Sequence, residues 1–257
     1  MAIRVGTKII PTIHVGSKLI SRIYVGQIEI YPGIANAGIL FMVNRRSLFT
    51  LDINTGIATR IGGSNFVDYR SLTSIGTTLY ATSGSGIYVI DSSNGLPTLI
   101  GNIENITGSI RGLTSVGSTL YMITDQDRLY TLNVSTAAAT LIRDLSSDIR
   151  QTVPSGLTAI ENILYILTNN DLYRFDLTTN ELTAFNSFND FNVREREASG
   201  LTAVPTLTGH QLYMVGNTNN RLYTLNFNNG RAAIVSRVDR FGINLTSVDG
   251  LTYALRS

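Results

Sequence analysis

Two histidines, His14 and His210, and no cysteine set the first limit on what this chain can do chemically. Zinc and most transition-metal sites are built from clustered imidazole and thiolate ligands at short spacing. Neither histidine has a second one beside it, so no metal or cofactor site is expected. His14 stands where Arg4 and Tyr24 stand in two related segments, as a variable exposed position does, and His210 lies in the hairpin sequence TLTGHQLY. A serine nucleophile is equally unsupported. There is no G-x-S-x-G elbow. SGSG at 83–86 reads as a turn between two strands, whereas a phosphate loop would open a helix. Asp68, Asp148, Asp190, Glu195, Glu197, Asp239 and Asp249 recur at no common offset. Glycoside hydrolysis needs two carboxyl groups roughly 5 to 9.5 Å apart, and only Glu161 stands near the segments that would line a channel, at a turn. The chain reads as a non-enzyme.

Arginine does recur. Arg70 and Arg111 each stand two residues before a Leu-Thr pair, and Arg150, Arg194, Arg196 and Arg240 occupy the corresponding longer stretches. Arg70, Arg111, Arg150, Arg196 and Arg240 are the candidate site for an anionic ligand, because guanidinium groups gathered on one face can hold sugar carboxylates or phosphate by bidentate bonds. The competing expectation is a self-neutralised surface, since the acids named above share these stretches. Phe188, Phe191 and Phe241 fall in the two long stretches 187–200 and 238–250, as contact-surface aromatics or as side chains tucked over an edge.

The elements that position these residues come from a repeat of roughly 40 to 50 residues, the period of a propeller blade. An apolar-aromatic pair appears at Leu40-Phe41, Leu79-Tyr80, Leu120-Tyr121, Leu164-Tyr165 and Leu212-Tyr213. A second pair follows about nine residues later, from Leu48-Phe49 to Leu222-Tyr223. Then comes an Asx-led turn, as at Asp52–Gly56 and Asp91–Gly95, in which Asx bonds its own backbone and Gly or Asn accepts a positive φ. ATRIG (58–62), PTLIG (97–101) and ATLIR (139–143) supply a fourth strand. Before each aromatic pair sits SLTS (71–74), GLTS (112–115), GLTA (156–159), GLTA (200–203) or GLTY (250–253). The last unit is only its first strand, and the first unit, from Gly38, lacks that strand. Together they complete one blade. The expected fold is all-β: a five-bladed propeller over 34–257, each blade a four-stranded meander, closed by strands from both ends. The repeated Thr73, Thr114, Thr158, Thr202 and Thr252 belong to a crowded channel wall.

Composition agrees. Apolar residues make up 43% and charged residues 15%, against about 25% charged in an average globular chain. A net charge of +2 with scattered basic residues gives no case for nucleic-acid binding. No window reaches the roughly 18 apolar residues of a membrane helix, and MAIRVGTKII lacks the apolar core of a secretion signal.

Residues 1–33 follow another period. Ile3, Ile13 and Ile23 align in steps of ten, as do Val5, Val15 and Val25, and Ile10, Ile20 and Ile30, around Gly6, Gly16 and Gly26. Each ten reads as strand, glycine turn, strand. Thirty residues bury too little surface to stand alone, so these nine apolar residues are expected to dock on a partner, on copies of the same chain, or under the propeller. The tandem I-x-V-G pattern resembles N-terminal segments of bacteriophage virion proteins, and the body resembles five-bladed propellers of the tachylectin-type lectins. The first resemblance implies a virion part (tail, baseplate, fibre or capsid decoration) anchored by its repeats, with the propeller displayed outward for host-surface adhesion. The second implies a carbohydrate-binding lectin as the alternative. The absence of Trp and the unequal loops count against five equal sugar sites.

Overall fold

A computed structural model describes residues 13–15, 18–20, 22–25, 28–32, 38–62, 67–149, 153–168, 171–187, 198–206, 209–216, 221–225, 232–237 and 248–255. Among them there is no helix. Four short strands come first: β1 (Ile13–Val15), β2 (Lys18–Ile20), β3 (Arg22–Val25) and β4 (Ile28–Pro32). They form two separate antiparallel hairpins, β1-β2 and β3-β4. Val15 pairs with Lys18 and Val25 with Ile28 at the inner ends of the two ladders. The second and third tens differ in one respect. Ile13 pairs with Ile20, whereas Ile23 pairs with Tyr31, and a register shift leaves Ile30 as the extra residue of a bulge.

The body is a five-bladed β-propeller. The chain enters it through β5 (Ile39–Asn44), β6 (Ser47–Leu51) and β7 (Ala58–Gly62). Blade two holds β8 (Ser71–Ile75), β9 (Thr78–Ser83), β10 (Gly86–Ile90) and β11 (Pro97–Asn102). Blade three holds β12 (Ile110–Val116), β13 (Thr119–Thr124), β14 (Arg128–Leu132) and β15 (Ala139–Asp144). Blade four holds β16 (Pro154–Ile160), β17 (Ile163–Thr168), β18 (Asp171–Asp176) and β19 (Glu181–Ser187). Blade five holds β20 (Ala198–Thr206), β21 (Gly209–Gly216), β22 (Arg221–Leu225) and β23 (Ala232–Arg237). β24 (Gly250–Ala254) then returns to pair with β5, so the closing blade is ordered β24-β5-β6-β7. Closure by strands from opposite ends leaves no unpaired sheet edge at the seam.

The core lies between blades. On β5, Leu40 and Met42 join a cluster with Val204, Val215 and Leu222 of blade five, while Phe41 and Val43 join Leu72, Leu79 and Ala81 of blade two. The two-residue alternation of a strand therefore feeds two different cores, which is why every apolar-aromatic pair is worth repeating.

Around the channel the five inner strands touch in a ring, β8 to β12 to β16 to β20 to β24 and back to β8. The Gly of the Gly-Leu-Thr motif makes this contact. A Cβ on Gly112 would lie 2.6 Å from the Cβ of Leu157, and one on Gly250 would lie 2.5 Å from the amide N of Leu72. The motif threonines are buried. Thr158 Oγ1 accepts the N–H of Ala203 at 3.1 Å, and Thr202 Oγ1 accepts the N–H of Tyr253 at 3.1 Å. These hydroxyls satisfy inner-edge amides that no fifth strand can reach.

At the rim, each outer strand carries a bulge at the same offset against the third strand. A bulge increases local twist, and the outer strand thereby leans on the Asx turn of the following blade. Gly62 sits against the Asn94 carbonyl, Gly101 against Ala137, and at the equivalent position Arg143 donates to the Asn180 carbonyl.

Candidate functional site

An antiparallel meander sends its connections alternately to two faces. The upper face takes the loops leading into inner strands and the turns between second and third strands. The lower face takes the Asx turns and the turns after inner strands. On the lower face Asp52 Oδ1 accepts the N–H groups of Asn54 and Thr55 at 2.8 and 2.9 Å, and Asp176 Oδ1 accepts those of Thr178 and Thr179. The turns end at positive φ: Gly56 at 72°, Gly95 at 73°, Ala137 at 58° and Asn180 at 60°. The backbone N–H bonds hold the carboxyls of Asp52 and Asp176 below the usual carboxylate range, and bonds from Ser93 do the same for Asp91.

The predicted arginine site belongs to the upper face. Of its members, Arg70 and Arg111 are described, whereas Arg150, Arg196 and Arg240 lie outside the described residues, as do Arg194, Phe188, Phe191 and Phe241. Arg70 Nη2 donates to Asp68 Oδ2 at 2.9 Å. Arg111 is the bulged residue at the start of β12, and its Nη2 lies 3.4 Å from Asp125 Oδ2. Both described members thus have a carboxylate from their own or an adjoining loop. The same holds in blade three, where Arg128 pairs with Asp144 at 3.0 Å, and at its rim, where Arg143 pairs with Asp148 at 2.8 Å. Exposed pairs of this kind add little to stability, because solvent screens them. Asp144 is pushed down to about 2, first by the Ser146 hydroxyl and amide and then by Arg128.

Asp127 has the opposite environment. It sits at φ 57° in the β13–β14 turn, and its Oδ1 is buried without a hydrogen-bond partner. Burial raises its pKa, and the charges of Asp144 and Asp125 raise it further. Among the described residues no group of His, Asp and Glu is arranged to hold a metal ion.

Sequence reasoning missed a second set of arginines. Arg45 and Arg46 form the turn between β5 and β6, and Arg60 lies on β7; all three are exposed. No carboxylate of the described residues pairs with their guanidinium groups. Among the other arginines whose side chains are described, Arg174 lies over the Phe185 ring at 5.6 Å, and Arg221 also has a partner. A signal was present. Arg45-Arg46 replace Gly84-Ser85 of the equivalent turn, and Arg60 stands where the next two blades have Leu99 and Leu141.

Of the predicted docking residues, Ile3, Val5 and Ile10 lie outside the described residues, while Ile13, Val15, Ile20, Ile23, Val25 and Ile30 fall in the two hairpins. The chain joins the propeller on the lower face. There Tyr253 Oη accepts the Gly38 N–H at 2.8 Å, and a side chain at Gly38 would run into the Tyr253 ring.

No protein family matches the chain, and no curated protein is similar to it in sequence. Solved structures resemble it in shape. A chain of a nidogen/laminin complex superposes with a TM-score of 0.58 at 13% identity, covering 85% of this chain and 99% of that one. A protein of unknown function from Bacteroides thetaiotaomicron gives 0.55 at 16% identity, covering 79% of this chain and 59% of that one. An auxiliary nutrient binding protein from the same organism gives 0.53 at 14%, covering 77% and 54%. At these identities the likeness is one of fold alone.

Proposed function

We propose that this chain is a non-enzymatic structural component of a bacteriophage particle, mounted through its N-terminal repeats with the propeller displayed outward. The observation that carries the reading is the separateness of the repeats. Among the described residues, β1-β2 and β3-β4 are two-stranded sheets that share no ladder with any blade. An isolated two-stranded hairpin is marginally stable at best in water. Strands so rich in Ile and Val gain most by covering their apolar residues on another surface. The partner is another virion protein or copies of this chain. A mount at residues 1–33 adjoins the lower face, where Gly38 enters, and leaves the variable upper loops pointing away from the particle. The I-x-V-G resemblance supplies the phage context; the part is a tail, baseplate, fibre or capsid decoration.

The test is a chain lacking residues 1–32, produced beside the intact one with the remaining particle proteins. The shortened chain should keep its β circular-dichroism spectrum and melting temperature, and should disappear from sedimented particles. Its continued incorporation would overturn the reading.

A further inference from the structure

We infer that the closing blade binds an acidic polysaccharide along a strip running from the Arg45-Arg46 turn to Arg60. The inference goes beyond the mounting role and does not depend on it. The first support is the charge distribution. Among the described arginine side chains, Arg45, Arg46 and Arg60 are the ones left without a carboxylate or ring partner, and all three belong to a single blade. Arg70, Arg111, Arg128 and Arg143 are each neutralised by an aspartate. An unbalanced trio on one blade, where four other described arginines each meet an aspartate, is a surface open to an outside anion.

Shape and composition narrow the partner. The three arginines lie on two adjoining strand pairs: Asn44 pairs with Ser47 across the β5–β6 turn that Arg45 and Arg46 form, and Arg60 on β7 pairs with Phe49 of β6. Three residues of strand separate Arg46 from that rung, about 10 Å. A line of that length suits an extended polymer with repeated charges. Every cation beyond Lys18 is arginine, whose planar fork binds carboxylate in two parallel bonds where lysine offers a point charge. An acidic protein would need a buried aromatic or aliphatic anchor at the centre of its interface, and the strip has none. The turn itself is held by its neighbours: Asp249 Oδ2 accepts the Arg45 N–H at 2.9 Å, and Tyr69 N donates to the Arg45 carbonyl.

The experiment uses the full chain and immobilised polygalacturonate, with polyglutamate and duplex DNA at matched charge and uncharged dextran as comparators, at two salt concentrations. The expected result is salt-sensitive binding to polygalacturonate that exceeds binding to the other three. Binding should fall about tenfold or more in the triple variant Arg45→Gln/Arg46→Gln/Arg60→Gln. It should change less than twofold in Arg128→Gln, whose guanidinium is already paired with Asp144. An unchanged melting temperature in both variants certifies the fold. Equal loss in both variants, no loss in the triple variant, or preference for polyglutamate or DNA would each overturn the inference. The N-terminal lysines are common to all forms, so the comparison isolates the strip.

Discussion

The two faces of the disk are made by the same strands, yet they have different histories written on them. The lower face repeats one Asx turn from blade to blade, and the described turns there carry Asp52, Asp91, Glu161, Asp176 and Glu181 with no Arg or Lys among the described residues. The upper face has loops of unequal length, paired and unpaired arginines, and an aspartate in an unfavourable place. The difference has a packing cause. Each described lower turn from blade two to blade four is pressed by the previous blade's outer strand, through Gly62, Gly101 or Arg143. Among the described residues the upper loops repeat no contact of this kind, and their lengths differ.

If that cause is right, the lower contact should be the costliest to disturb. Gly62→Val drives a branched side chain into the Asn94 backbone, which cannot rotate away. Urea unfolding should show a loss of about 3 kcal/mol or more, the scale of severe overpacking. A loss under about 1 kcal/mol would mean that the lower turns repeat for another reason.

Acid should act next, and through the same turns. The carboxyls of Asp52, Asp91 and Asp176 titrate below the usual 3.8 in the folded chain, and Asp144 at about 2. A depressed folded pKa contributes stability above the unfolded value and loses it as pH falls through the folded one. The melting temperature should therefore be level above pH 4 and decline from there toward pH 2. The Asp52→Asn/Asp91→Asn/Asp176→Asn variant, which keeps the Asx acceptors, should show a shallower decline. An equal decline would remove the lower turns from the account.

The smallest effect belongs to the upper face and has the opposite sign. Asp127→Asn removes a charge crowded by Asp144 and Asp125, and asparagine tolerates the positive φ. Because the side chain is only partly buried, the gain is discounted to a rise in melting temperature of about 1 °C at neutral pH. A fall would show that Asp127 has a partner that differential scanning calorimetry, repeated with added divalent cations, can then seek.

The same contrast explains what could be read in advance. Blade number, blade boundaries, the channel threonines and the seam were legible because identical contacts demand identical residues: Gly where an inner strand meets its neighbour, Asx where a turn bonds itself, alternating Leu and Tyr where one strand serves two cores. Pairing of charges was not legible. Whether Arg111 meets Asp125 depends on a bulge that re-aims a side chain, and nothing in GSIRGLT announces it. Arg45, Arg46 and Arg60 carry meaning only once the neighbours of every other arginine are known. Ile30 follows the tens in sequence and leaves them in structure, because register is set by both strands of a hairpin together.

The seam between β24 and β5 also orders events in time. As the chain emerges during synthesis, β5 comes out early with one flank unpaired, and it stays so while four further blades are made. Its partner arrives some two hundred residues later, bringing Tyr253, whose hydroxyl holds Gly38. A nascent propeller is thus an open fan with a sticky first strand, and it becomes a sealed ring only when residues 250–254 leave the ribosome.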